Sequence, residues 1–312
     1  MMQAAHDQTT KTWDVLGIGS VAVDDLVYVD HYPPPDCTTE ARSMRRQGGG
    51  LTATALVAAA RLGARAAYMT VLGYDDLSRY SLQEMEREGV DCTPVVRREG
   101  ARPYYAIVIV DQSTGGRNIF YTGEGVTEPA VEDVNEALIA RCRVLFVDSY
   151  TAEAGLRAVQ LAQAQRIPVV ADIEVSSHPL ALALAQRVDH LIVNREFAGQ
   201  VTGEADPERT VRALSNPERA CCVVTGGDQG CWYAEHGGTV HYVPAFRVQV
   251  VDTTGCGDVF HGAYAARIAA GDSVADAIRV AAATAALKAT QPGGRSGIPK
   301  LARVQEFLAT GH

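Results

Sequence analysis

Two rhythms alternate along most of the chain. Short unbroken apolar runs near residues 14–23, 66–72, 144–147, 169–172, 190–193 and 221–225 predict buried strands. Between them lie segments whose apolar positions fall three and four residues apart. These predict helices over 51–62, 75–88, 132–140, 152–165, 180–186, 207–214, 259–270 and 275–289, with Gly63 and Gly89 as stops for the first two. A short terminal helix follows the glycine-rich stretch 292–294. Regular strand–helix alternation predicts an α/β fold, a doubly wound and mostly parallel sheet flanked by helices, as a single domain over 14–312.

Three segments break that rhythm. Residues 24–30, 104–110 and 117–121 alternate apolar and polar positions with β-branched and aromatic residues, and a turn at 113–116 joins the last two. Grouped, they make a small β-sheet lid inserted at about 24–47 and 98–123. The alternative is an edge extension of the central sheet. A sheet that closes over a site excludes water from a reaction that water would spoil. A short hairpin is predicted at 231–233 and 239–242 around Gly237 and Gly238. Residues 1–12 are polar, read as a disordered tail and not as a signal peptide or anchor.

Composition narrows the classes of function. At 312 residues with 47% apolar and 21% charged residues, the chain reads as globular, and its cytoplasmic location is the expectation. A net charge of −9 argues against nucleic acid as a partner. It also means that any phosphate site must be built locally. No G-x-x-x-x-G-K-[ST] string occurs, which removes a P-loop. The G-x-G-x-x-A match at 17–22 lacks the helix that a dinucleotide site needs, because the alternating segment 24–30 follows. The seven cysteines lack C-x-x-C spacing and the eight histidines lack H-x-x-x-H, so neither a disulfide framework nor a metal cluster is expected.

The most informative string is VDTTGCGDVF at 251–260. Gly255, Cys256 and Gly257 precede an acid, Asp258, and helical spacing starts immediately after it. The first N–H groups of a helix lack partners inside it and carry partial positive charge, and glycine lets a phosphate approach backbone. A carboxylate at that point stands where an anion and a hydroxyl can meet. The combination reads as phosphoryl transfer to an alcohol; the alternative is an ordinary glycine turn with Asp258 as a helix-start residue.

This string resembles the second signature of the ribokinase (PfkB) family of carbohydrate kinases, D-T-x-G-A-G-D-x-F. The resemblance runs from about residue 14 to 299. It implies that Asp258 is the general base, that Gly255, Cys256 and Gly257 form the anion hole, and that ATP and Mg²⁺ are used. The string GSVAVD at 19–24 resembles the family's first-strand motif, which makes Asp24 a sugar-binding acid. Gly48 and Gly49 resemble the first signature, G-G-x-x-x-N-x-A, and would let a sugar lie against backbone. The T-x-G-x-x-G match at 225–230 implies that Thr225, Gly227 and Gly230 hold nucleotide, with Asn194 as the first residue of N-x-x-E. Asp252 and Thr254 lie where many relatives bind a monovalent cation, with residues 290–296 completing the site, which implies activation by K⁺.

The chain departs from the family pattern at three places. Ala53 replaces the asparagine of the first signature, and Phe197 stands where N-x-x-E has glutamate, with Glu196 one residue off. Magnesium is then held mainly by nucleotide phosphates and water. Cys256 replaces an alanine, and a thiol at a helix N-terminus is expected to be more reactive and sensitive to oxidation. The strings at 48–64, 251–263 and 292–299 look more like sulfofructose kinase and ketohexokinase-like members, implying a ketose or related acceptor. A nucleoside kinase of the same superfamily is the alternative, since Tyr28, Tyr32, Tyr104, Tyr105 and Phe120 fall in the lid. A non-catalytic sugar- or nucleotide-binding protein on this fold is the other. Arg45, Arg46, Arg102 and Arg117 also fall in or near the lid, as readers of an acidic group or as solvated charges. The resemblance further implies a homodimer formed through the lid.

Overall fold

The computed structural model describes residues 11–114, 116–174 and 180–311. The predicted tail at 1–12 lies outside the described residues except for Lys11 and Thr12. In chain order the elements begin β1 (Trp13–Ile18), β2 (Ala22–Val29), β3 (Ser43–Gly49), α1 (Leu51–Arg61), β4 (Ala66–Met69), β5 (Val71–Leu72) and α2 (Asp76–Arg87). They continue with β6 (Val96–Arg97), β7 (Tyr104–Asp111), β8 (Arg117–Thr122), α3 (Glu136–Ile139), β9 (Cys142–Asp148), α4 (Ala152–Ala164) and β10 (Val169–Ile173). Then come α5 (Ala181–Arg187), β11 (His190–Asn194), α6 (Arg195–Thr202), α7 (Pro207–Leu214), β12 (Cys221–Thr225) and β13 (Cys231–Glu235). The last are β14 (His241–Val243), α8 (Cys256–Ala270), α9 (Val274–Ala289) and α10 (Leu301–Thr310).

The main sheet has eight strands in the order β14-β13-β12-β11-β10-β9-β1-β4. All neighbours from β12 to β4 are parallel; β13 and β14 add an antiparallel edge. The parallel strands are buried on both faces, and successive residues feed different cores. On β9, Val144 and Phe146 join the cluster containing α1, α8, α9 and α10, while Leu145 and Val147 join the one containing α4. Each large side chain so buried contributes about 1.5–3 kcal/mol.

The apolar run at 14–23 is two strands, not one. Asp148, fully buried at the end of β9, explains the break. Its Oδ2 accepts from the N–H of Ser20 (2.7 Å), from Ser20 Oγ (2.8 Å) and from Thr52 Oγ1 (2.8 Å). That carboxylate holds the chain in a corner at Ser20, and β2 leaves the main sheet. It enters a second, four-stranded sheet of order β3-β2-β7-β8. The run at 66–72 likewise divides, β4 in the main sheet and β5 paired with β6. The helix expected over 132–140 is shorter, with only Glu136–Ile139 α-helical.

Helices α1 and α8 pack closely because both are rich in small residues. A Cβ on Gly262 would stand 1.9 Å from the carbonyl oxygen of Ala55. This contact fixes α8, and therefore its N-terminus, against the helix that follows the Gly48–Gly49 strand. Among the described residues, no helix is long and apolar enough to cross a membrane.

Candidate active site

Helix α8 starts at Cys256, three residues before the 259–270 span that its apolar spacing predicts. Gly255 is its cap in the left-handed region (φ 73°), a conformation that glycine adopts without strain. A Cβ there would also lie 2.9 Å from the Gly294 carbonyl oxygen. The N–H groups of Gly255, Gly257 and Asp258 find no acceptor among the described residues, whereas that of Cys256 donates to Thr253 O at 3.2 Å. Three open donors at the positive end of a 15-residue helix are an arrangement suited to an anion. No described atom lies within 4 Å of a Cβ built on Gly257, so the approach to it is open.

Asp258, in the first turn, is surrounded by other acids. Burial, then Asp172 and Glu174, push its carboxyl well above the usual range, while His261 and Arg295 pull it down. His261 lies almost one turn further along α8 and is buried (4% exposed). Its Nδ1 is 2.8 Å from the Gly257 carbonyl oxygen and 3.4 Å from Asp172 Oδ2; its Nε2 is 3.1 Å from Ile192 O. Burial pulls the ring below the usual histidine range, and the two carbonyls oppose it. Only the imidazolium donates from both nitrogens, so the two carbonyls work against burial, which also pushes the Asp172 carboxyl well above its usual range. His261 thus ties the anion-hole turn to β10 and β11.

On the acceptor side, Gly49 backs directly onto Asp24: a Cβ on Gly49 would be 2.5 Å from Asp24 Oδ2. Burial pushes the Asp24 carboxyl up to about 6, against the pull of Arg295 and a hydrogen bond from Gln47. Arg295 is buried (7% exposed), donates through Nη2 to Gly49 O (2.6 Å) and through Nε to Thr54 Oγ1 (3.1 Å), and fills the space beside Gly48. Its charge acts on Asp24 and on Asp258 alike, so one guanidinium links the two carboxylates predicted from opposite ends of the chain. Sequence reasoning missed both Arg295 and His261. Arg295 sits in a recognised glycine-rich string, but its partners are more than 200 residues away.

The predicted nucleotide residues form a second group. Asn194 and Thr225 are paired neighbours at the ends of β11 and β12. Asn194 Oδ1 caps α6 by accepting from Phe197 N (2.8 Å). Gly227 and Gly230 both have positive φ in the turn after β12, and Gly230 N–H donates back to Gly227 O (3.1 Å). Phe197 is buried in the core under α6, and Glu196 is exposed beside Glu174, whose carboxyl it helps to push up. Both groups sit at the carboxyl ends of the parallel strands, where ligands of open α/β sheets bind. The bond from His261 on α8 to Ile192 on β11 ties the first group to the strand that ends at Asn194.

Cys256 does not match its expectation. Burial raises its thiol above the usual cysteine range, opposed by Lys288, and its Sγ faces Ala285 O at 3.6 Å. Desolvation outweighs the helix N-terminus, so the thiolate is disfavoured.

A cavity of about 560 Å³ lies between the small sheet and the stretch leading to the anion hole. Tyr28, Ser43, Arg45, Val110 and Arg117 line one wall, and residues 250–254 with Pro292 the other. The strand register places those sheet residues on the same face as Asp24. Two of the four arginines singled out from sequence are neutralised: Arg46 makes a two-point pair with Asp25 (2.7 and 2.8 Å), and Arg102 bonds Asp75 (2.9 Å). Arg45 and Arg117 have no hydrogen-bond or ion-pair partner among the described residues.

An anion hole with an adjacent carboxylate, at the carboxyl edge of a doubly wound sheet, defines a phosphotransferase acting on an alcohol. The family model described as pfkB family carbohydrate kinase matches residues 14–301, and the chain belongs to that family. It is 28% identical over 306 residues to a ribokinase of Haemophilus influenzae, covering 96% of this chain and 98% of that one. It is 30% identical over 296 residues to fructokinase-1 of Zea mays, covering 86% and 90%. Among solved structures, a ribokinase from Thermotoga maritima superposes with a TM-score of 0.80 at 24% identity, over 96% of this chain and all of that one. An Arabidopsis thaliana ribokinase complexed with ribose and ATP superposes with a TM-score of 0.80 at 20% identity, over 95% and 99%.

Proposed function

We propose that this carbohydrate kinase transfers the γ-phosphoryl group of ATP to a hydroxyl of a sugar, a ketose or related carbohydrate, with Asp258 as general base. The observation that carries this reading is the set of three open N–H groups of Gly255, Gly257 and Asp258 beside the Asp258 carboxylate. The acceptor hydroxyl gives its proton to Asp258, and the open donors with the helix dipole take up charge developing on the transferring group. Asp24 and Gly49 orient the acceptor, and the charge of Arg295 draws Asp24 toward its ionised form. Asn194, Thr225, Gly227 and Gly230 hold the nucleotide.

The residues present fit magnesium carried on the nucleotide. Among the described residues no three His, Cys, Asp or Glu side chains converge on one point, so direct ligation by a protein cage is not offered. Glu174 supplies a carboxylate with no hydrogen-bonded partner among the described residues, raised by burial and by neighbouring acids, which suits a hydrated divalent ion. When bound, that ion neutralises phosphate charge and draws Asp258 toward its ionised form.

The acceptor is best read as carrying an anionic group. Arg45 and Arg117 have no ion-pair partner among the described residues, share the face of Asp24 and line the cavity together with Asp111 and Asp252; neither the predicted nucleotide residues nor Asp24, Gly49 and Asp258 line it. Two guanidinium groups with no ion-pair partner among the described residues match a carboxylate, sulfonate or phosphate better than a neutral polyol. The test is ADP release with Mg·ATP over neutral ketoses and aldoses, sugar acids, sugar phosphates and nucleosides. Preferred turnover of acidic ketoses supports the reading; turnover only of nucleosides replaces it with the nucleoside-kinase alternative.

Self-association through the small sheet belongs to the same proposal. Met44, Ile107 and Phe120 are 70%, 39% and 55% exposed and share its face away from Asp24, which supports a second copy as their cover.

A further inference from the structure

Lys288 is a fully buried lysine (0% exposed) in the last turn of α9, beside the stretch that leads into the anion hole. Its Nζ donates to the Asp252 main-chain oxygen at 2.9 Å. Burying an ammonium group is costly unless its charge is used, and here the groups facing it are those of the reaction centre. Burial pulls its proton affinity down, while Cys256, Asp252 and Asp258 pull it up and Arg117 opposes them.

The family resemblance implies a monovalent cation bound by Asp252, Thr254 and the loop after Lys288. The residues present do not fit one. The Asp252 main-chain oxygen already accepts from Lys288, and Ala289 O accepts two N–H groups, from Val251 (2.8 Å) and Asp252 (3.1 Å). The Asp252 carboxylate is engaged as well, Oδ1 accepting from Thr254 N (2.8 Å) and Oδ2 from Gly293 N (2.8 Å). The Asp252 and Ala289 oxygens that would replace water around a potassium ion therefore each already accept from a donor. The only negative charge on them is balanced by the Lys288 ammonium. A second cation would meet a like charge in a desolvated pocket.

We propose that the Lys288 ammonium takes the place of the monovalent cation, so that the enzyme works without K⁺. The lysine acts as a positioning residue. It fixes the Asp252 carbonyl, closes the 252–254 stretch on the 289–294 loop, and adds constant positive potential behind Gly255, Cys256 and Gly257. A loop that K⁺ would order only when bound is ordered by a covalent part of the chain.

The activity arm of the test rests on the kinase reading; the stability arm does not. Purified protein is assayed in chloride salts of K⁺, Na⁺, Cs⁺ and choline at constant ionic strength, with melting temperature measured in each. The wild type should show rates within about twofold of one another and no K⁺-specific rise in melting temperature. Lys288→Ala leaves the carbonyl cage without its ammonium. In choline it should lose about 10²–10³-fold in kcat, and K⁺ should restore at least about tenfold of this saturably while raising its melting temperature. A purely structural lysine would not give that rescue. Saturable K⁺ activation of the wild type by more than about tenfold overturns the proposal, as does a K⁺-specific stabilisation of it. A folded Lys288→Ala that no monovalent cation rescues or stabilises also overturns it. Should Lys288→Ala not fold, Lys288→Met and the two wild-type measurements still decide. Absence of turnover on every acceptor, with the wild-type melting temperature indifferent to K⁺, would count against the kinase reading and not against the role of Lys288.

Discussion

Gly49 and Asp24 stand back to back across the pair β2–β3, with room between them for a hydrogen atom and nothing larger. A methyl group on Gly49 would lie 2.5 Å from Asp24 Oδ2 and 3.0 Å from its Cγ. Gly49→Ala should therefore swing the Asp24 carboxylate out of place and raise the acceptor KM by about 10–10²-fold, leaving the KM for ATP nearly unchanged. Steady-state kinetics with each substrate varied in turn checks this. A matching rise in the ATP KM would mean that Asp24 is not an acceptor residue.

The Asp24 carboxyl also sets a pH dependence. Burial holds it at about 6 against a reference value of 3.8, so it is ionised at neutral pH and protonated as the pH falls through about 6. A protonated acid loses acceptor capacity for substrate hydroxyls. The acceptor kcat/KM should fall below about pH 6 through KM, and Asp24→Asn should remove that limb. Stability carries the matching sign. Because the folded-state value is raised, Asp24 contributes stability below pH 3.8 that is lost as the pH rises through about 6. Asp24→Asn should consequently stabilise the ligand-free protein at pH 7.

The proposed role of Arg45 and Arg117 predicts a distinction between acidic and neutral acceptors. The double change Arg45→Met with Arg117→Met should raise the KM for an acidic sugar by about 10²-fold and alter a neutral sugar by less than about threefold. Equal effects on both would return the two arginines to the role of solvated surface charges.

The contact between α1 and α8 predicts a stability effect distant from the chemistry. Gly262→Ala places a methyl group 1.9 Å from the Ala55 carbonyl oxygen, with backbone on both sides and no flexible side chain to yield. It should destabilise by about 1–3 kcal/mol. Denaturant unfolding checks it, and an unchanged midpoint would contradict the packing described.

What the chain revealed before folding was whatever chemistry is local. Gly255, Gly257 and Asp258 are consecutive or nearly so, and an anion site at a helix start needs no distant partner. The central strands were legible because a strand buried on both faces is apolar throughout. Strand β3 was not, because Arg45, Arg46 and Gln47 interrupt its pattern on a sheet with one exposed face. Helix α6 was not, because Asn194 ends β11 and caps the helix in the same residue, with no spacer to mark the change. Arg295, His261 and Lys288 share a different cause. Each is a lone polar residue in an otherwise structural segment, and its meaning resides in carbonyls brought from elsewhere in the chain. The thiol of Cys256 shows the reverse error, a local argument from the helix end overruled by burial that only the fold supplies.

The central claim is that Asp258 takes the proton of the acceptor hydroxyl. The most direct measurement compares wild type with Asp258→Asn in Mg·ATP-dependent ADP release on the best acceptor, with ATP and acceptor binding measured separately. The account predicts a loss of about 10²–10⁴-fold in kcat with both affinities kept within a few-fold. Near-normal turnover by a folded Asp258→Asn protein would contradict it.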